Sequence, residues 1–157
     1  MNWMLELVVI PVSDVDRAKT FYTEKVGFDV DLDRSAGEEF RMVQMTPTGS
    51  ACSIMVGTGI TDAAPGSLRD LHLVVPDIVA ARAELSERGV DVSDARHLGA
   101  DGWTPGPDPD RRDYVSIADF SDPDGKHLDL AGTRARAAGM TAPLMNRPGY
   151  LRARHRS

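Results

Sequence analysis

The residues whose types and spacing could do chemistry are His127 and Asp129, two positions apart in Lys126-His127-Leu128-Asp129-Leu130. They follow Asp122-Pro123-Asp124-Gly125, a turn sequence in which proline pre-sets φ, Asp bonds its own backbone and glycine accepts positive φ. Val115 and Ile117 before the turn, and Leu128 and Leu130 after it, alternate with polar neighbours, the period-2 signature of a half-buried β-ribbon. Alternation then puts His127 and Asp129 on one face and the two leucines on the other. Two ionisable side chains backed by an apolar face form a candidate site floor. The rest of the chain has to supply its walls.

Read in order, the chain supplies them twice. Residues 5–12 read as an apolar strand. Ser13 or Asp14 caps a helix to about Val26, whose stripe is Val15, Ala18, Phe21, Tyr22 and Val26, and Gly27 stops it. Strands follow over 28–33, 40–46 and 52–56. After a Gly-, Thr- and Pro-containing linker the pattern restarts: strand Leu71–Val75, a helix opened by Pro76-Asp77 and ended by Gly89, and a strand at Val90-Asp91-Val92. Aligning His72 with Leu7 gives an internal repeat at an offset of 65 residues. The organisation read from this is a first βαβββ module over 1–57, a linker over 58–69, a second module over 70–132 and a basic C-terminal arm or tail over 133–157. Residues 99–113 form a long polar loop carrying Trp103, which must cover a ligand, a partner or the protein's own surface.

Composition sets bounds. The chain has 157 residues, 41% hydrophobic and 27% charged, with no run approaching the roughly 20 apolar residues of a membrane span. No secretory signal opens it, and Cys52 is alone, which excludes an intrachain disulfide and points to a cytoplasmic location. Cys52 itself reads as a small packed residue, not a nucleophile. Residues 1–132 hold 12 Lys/Arg against 24 Asp/Glu, a net of −12, whereas 133–157 hold six Arg and no acid. An acidic body argues against nucleic-acid binding.

The repeat and the turn together carry a resemblance. Val12-Ser13-Asp14 leading to Phe21-Tyr22 and Val26-Gly27-Phe28, then His72-Leu73-Val74-Val75, Arg88-Gly89-Val90 and Phe120-Ser121-Asp122-Pro123-Asp124-Gly125, resemble the vicinal oxygen chelate superfamily over about residues 5–132. That superfamily includes glyoxalase I, bleomycin-resistance proteins and extradiol dioxygenases. The resemblance implies an α+β fold of two tandem βαβββ modules forming a curved mixed sheet around a shared cavity, completed by module pairing or a homodimer. It also implies four metal-ligand positions, which fall on Leu7, Met55, His72 and Asp129. Leucine ligates nothing and a thioether only soft metals, so no metal cofactor is expected at these positions. A divalent metal on His72, His127 and Asp129 is a weaker alternative.

Two classes of function follow from the resemblance. One is metal-free binding or sequestration of a small molecule, in a cavity lined by Leu7, Val9, Met55, His72, Val74, His127 and Asp129, with Trp103 and Tyr114 closing over it. The other is an enzyme, a lyase, isomerase or dioxygenase-like catalyst. It would use His72 and Asp129 as an acid–base pair, since a carboxylate on one imidazole nitrogen raises the basicity of the other, or would use both with His127 to hold a metal. His97 reads as a surface or rim residue. The expected partners are a small-molecule ligand and a second copy of the chain, with no nucleic acid and no membrane.

Overall fold

The computed structural model describes residues 1–134; the arm expected at 133–157 lies, past Arg134, outside the described residues. Element order follows the repeat. The first half holds β1 (Leu7–Val9), α1 (Val15–Thr20), β2 (Phe28–Ser35), β3 (Arg41–Pro47) and β4 (Ser53–Thr58). The second holds β5 (Leu71–Val75), α2 (Ile78–Glu87), β6 (Arg96–Gly99), β7 (Gly102–Pro105), β8 (Ser116–Ser121) and β9 (His127–Gly132). The strands form two sheets, ordered β1-β4-β3-β2 and β5-β9-β8-β6-β7. In each sheet the first strand pairs parallel with the last, and all other pairs are antiparallel. The fold is the mixed α+β pair of βαβββ modules, its strands divided between two sheets.

Local chemistry accounts for most of the boundaries. Asp14 and Asp77 are the N-caps of the two helices, accepting from Arg17 N and from Val79 N and Ala80 N respectively. Past Thr20 the first helix widens into a π-helical turn, Phe21–Val26, which Gly27 ends at φ 91°. The expected stripe faces inward: Ala18 and Tyr22 are buried, and Val15, Phe21 and Val26 pack against the same core.

Two elements differ from expectation. Val90–Val92 is not a strand; the Val90 N–H donates to Leu85 O, which leaves a single bridge between Val92 and Phe120. The loop at 99–113 is half structured, because β6 and β7 form a hairpin that places Trp103 opposite Leu98. Glycine and proline around that hairpin hide its alternation. The remainder, residues 106–115, is held by Asp108, whose carboxylate accepts from Arg112 N at 2.8 Å and from the Arg112 guanidinium at 2.8 and 2.9 Å.

The modules are joined by the turn at 122–125. The buried Tyr22 hydroxyl donates to Asp122 Oδ2 at 2.9 Å, and burial, reinforced by the Asp122 charge, pushes the Tyr22 phenol far above its ordinary pKa. Asp124 accepts from Ser13 N at 3.1 Å, from the Ser13 hydroxyl and from Arg17 at 3.1 Å. Gly66 passes so close that an added Cβ would lie 2.4 Å from Asp124 O. The motif residues carrying the resemblance in the two halves thus touch one another. Behind this clamp one core draws on both sheets, with Ile10, Tyr22, Val43 and Met45 from the first half and Leu85, Phe120, Leu128 and Leu130 from the second. Each sheet gives one face to that core and turns the other away from it.

Candidate functional site

The outer face of the second sheet is a small grid. β9 lies between β5 and β8, with His72 and Asp119 on either side of Asp129, and Val74 and Ile117 on either side of Ala131. Ser121 stands beside His127, and Asp70, two residues before His72, continues the β5 row at that end. The face therefore carries a row of Asp70, His127 and Ser121, a row of His72, Asp129 and Asp119, and an apolar row of Val74, Ala131 and Ile117. Alternation sends Leu128 and Leu130 to the opposite side, where they are buried.

Distances tie the ionisable rows together. His72 Nδ1 is 3.4 Å from Asp129 Oδ2, and His127 Nδ1 is 3.5 Å from Asp129 Oδ1 and 3.9 Å from Asp70 Oδ1. His127 Nε2 is 3.8 Å from Asp119 Oδ1. From the neighbouring strand Arg96 donates to Asp119 Oδ2 at 2.5 Å, and its guanidinium carbon sits 5.1 Å from the centre of the Trp103 ring. Burial works most strongly against the Asp119 charge, but the hydrogen bond and charge of Arg96, together with Asp129 and His127, outweigh it and leave Asp119 below the ordinary carboxylate range. Asp129 is buried at the centre of the grid, while Trp103 at its edge is 38% exposed and Val74 53%.

The corresponding face of the first sheet is different in kind. It carries Leu7, Val9, Met42, Gln44, Ser53 and Met55, by the same alternation. Leu7 lies opposite Ser53, as His72 lies opposite Asp129, so register makes Ser53 the counterpart of Asp129 and places Met55 two positions further on. The Ser53 hydroxyl is taken up by Gln44 Nε2 at 3.2 Å and Thr46 Oγ1 at 2.6 Å.

Of the expected site residues, the structure gathers His72, Val74, His127 and Asp129 on one sheet and Leu7, Val9 and Met55 on the other; among the described residues no strand pairs across. Trp103 shares the face of the first group through Arg96. Tyr114 is placed by its backbone. Its backbone, at φ 62°, donates to Gly132 O at the far end of β9 from His127. His97 turns to the opposite face, with Nδ1 2.8 Å from Gly106 O. Asp70, Asp119 and Arg96 were not anticipated. Counting back from the turn through Ser121 opposite His127 gives Asp119, so that signal was present in the sequence.

A separate cleft of about 190 Å³ opens at the start of α2, lined by Pro76, Asp77, Asp108, Arg111, Arg112 and Thr133 among others. Its charges are matched among themselves: Arg112 with Asp108 at 2.8 Å, and Arg111 with Asp77 at 3.8 Å.

Residues 4–130 match the model of the Glyoxalase/Bleomycin resistance protein/Dioxygenase superfamily. The chain belongs to that superfamily. It is 36% identical to TnmS3, an antibiotic binding protein from Streptomyces sp. CB03234, over 84% of this chain and 97% of that one, with a TM-score of 0.66. It is 37% identical to a glyoxalase/bleomycin resistance protein from the same organism, over 82% and 99% of the two chains, with a TM-score of 0.62. A curated relative, the uncharacterised protein YetH of Bacillus subtilis, is 37% identical over 49 residues, 31% of this chain and 41% of YetH. The ligand set that the superfamily resemblance places on both modules does not fit here. Leu7 has no donor atom, Met55 offers only a thioether and lies opposite Val9, and Ser53, which register puts opposite Leu7, has its hydroxyl committed to two hydrogen bonds, so only His72 and Asp129 remain. As in any superfamily that reuses one fold, activity has to be argued from this chain's own residues.

No helix among the described residues is long and apolar enough to cross a membrane.

Proposed function

We propose that this protein binds a small aromatic or amphiphilic molecule, such as an antibiotic, without transforming it. The observation that supports this most is the pair of unlike sheet faces. One is a thioether-rich apolar surface of Leu7, Val9, Met42 and Met55, and the other a polar grid edged by an exposed Trp103. Apolar walls with a few convergent polar groups are what a small-molecule site needs, and methionine adapts to varied shapes. The 36% identity to an antibiotic binding protein points the same way.

In this reading the two faces belong to one cavity completed by a second copy of the chain. The first sheet of one protomer lies over the second sheet of its partner, and the exposed Val9, Val74 and Trp103 are covered. Trp103 stacks on the ligand while Arg96, already bonded to Asp119, presents a fixed positive edge beside it. The acidic body favours cationic ligands by steering.

Titration with bleomycin, followed by tryptophan quenching and by mass spectrometry of the recovered compound, tests this. The expected result is saturable quenching, absent in Trp103→Phe, with the compound recovered unchanged. Recovery of an altered compound would instead support catalysis, and absence of saturation across a panel of cationic aromatic antibiotics would contradict the reading. The 3.4 Å contact of His72 Nδ1 with Asp129 favours one second reading, an acid–base pair with Nε2 as the base. Under it, Asp129→Asn abolishes turnover and spares affinity.

A further inference from the structure

We propose that Asp70, His127 and Asp129 bind a divalent transition-metal cation, one row nearer the turn than the His72 position. The ligand atoms of these three residues all lie within 4.8 Å of one another. Around His127 Nδ1 the two carboxylates stand at 3.5 and 3.9 Å. Donors bound tetrahedrally at about 2.0–2.1 Å are separated by roughly 3.3–3.4 Å, so each carboxylate needs to approach His127 by no more than about half an ångström, and the two carboxylate oxygens, within 4.8 Å of each other, close by up to about 1.4 Å through rotation of the exposed Asp70 side chain. One imidazole nitrogen cannot serve two carboxylates as a donor, because it carries at most one hydrogen.

The unmet hydrogen bonds argue for a cation and not for an ion pair. His127 Nδ1 is buried and has no hydrogen-bond partner, and the same holds for Asp119 Oδ1. These two atoms are satisfied together by one tautomer. With the proton on Nε2, His127 donates to Asp119 Oδ1, now 3.8 Å away, and offers the Nδ1 lone pair to the cation. A carboxylate behind the outer imidazole nitrogen is the usual support of a metal-binding histidine. Asp119 is itself fixed by Arg96 at 2.5 Å, so the support has a support. One imidazole and two carboxylates, with open positions toward solvent, suit Zn²⁺, Mn²⁺ or Fe²⁺.

The test uses the full chain and the metal alone. Zn²⁺ is titrated into chelator-stripped protein by calorimetry, and Co²⁺ by visible absorption. The expected result is one saturable equivalent in the wild type and its loss in His127→Ala. Asp70→Asn keeps the positive φ that Asn tolerates at this exposed position, φ 64°, and is expected to bind at least tenfold more weakly. Asp119→Asn is expected to weaken binding by about 10–100-fold through the orientation of His127. Wild-type protein that takes up no saturable equivalent overturns the proposal. So does binding that survives both His127→Ala and Asp70→Asn but is lost in His72→Ala, since the cation would then sit one row away. None of these readouts depends on antibiotic binding.

Discussion

The two outer sheet faces come from the same repeated pattern and have diverged in opposite directions. At matched positions the first sheet has Leu7 and Ser53, and the second has His72 and Asp129. The first face is closed to ionic chemistry, because its one central hydroxyl is bonded to Gln44 and Thr46. The second concentrates two carboxylates, two imidazoles and a guanidinium on strands β5, β9, β8 and β6, with a third carboxylate, Asp70, just ahead of β5. A repeat fold that ligated a metal symmetrically would need donors on both halves. This chain instead has one half with a largely apolar outer face and the other with a polar one, a division that supports the proposed binding function.

The sharpest way to break the comparison is to give the first face what the second has. Ser53→Asp places a carboxylate at a buried position whose hydrogen-bond partners are the neutral Gln44 and Thr46, and the expected loss is about 3 kcal/mol in urea unfolding, the cost of an uncompensated buried charge. A loss under 1 kcal/mol would mean that the two faces are electrostatically alike.

The second half tolerates buried charge, and Lys126 shows its cost. Its amine is buried, with no hydrogen-bond partner, and burial, only partly opposed by the Asp122 charge, lowers its pKa from 10.5 to about 8. Between those values the unfolded chain binds more protons than the folded one, so stability rises with pH across that window. The rise is expected to reach about 2–3 kcal/mol. Lys126→Met is expected to raise stability at pH 7 by a similar amount and to flatten that part of the profile. Chemical denaturation at pH 7, 8, 9 and 10 measures both effects.

The clamp that joins the halves is worth less. Tyr22→Phe removes a buried hydrogen bond to a carboxylate, and about 1.5–3 kcal/mol is the expected loss by thermal or urea unfolding. Smaller still is the structural effect of Trp103→Ala, expected within about 1 kcal/mol because the ring lies at the edge of its sheet. Its effect on ligand affinity is expected to be about tenfold or more, as for an aromatic anchor. Stability and affinity moving together would place Trp103 in the core.

Much of this is legible in the sequence. The turn at 122–125 and the alternation on either side of it give the strands, the face shared by His127 and Asp129, and the buried leucines behind them. The two Asp caps and Gly27 give the helices their ends. Register was not legible. Whether Ser53 or Met55 answers to Asp129 depends on how β4 lies beside β1, a pairing across more than forty residues that no local pattern encodes. The β6–β7 hairpin escaped because a four-residue strand rich in Gly, Thr and Pro offers too few apolar positions to alternate. Asp70 and Arg96 needed tertiary contacts, since Asp70 becomes relevant only by meeting His127 and Arg96 only by meeting Asp119 and Trp103.

The most direct measurement is amide chemical-shift mapping of the ¹⁵N-labelled protein during titration with a bound antibiotic. The expected perturbations cluster on both outer faces, at Leu7, Val9 and Met55 and at His72, Val74 and Trp103, with none around Asp77 and Arg111. Perturbations centred on the α2 cleft, with the two sheet faces unchanged, would contradict the account.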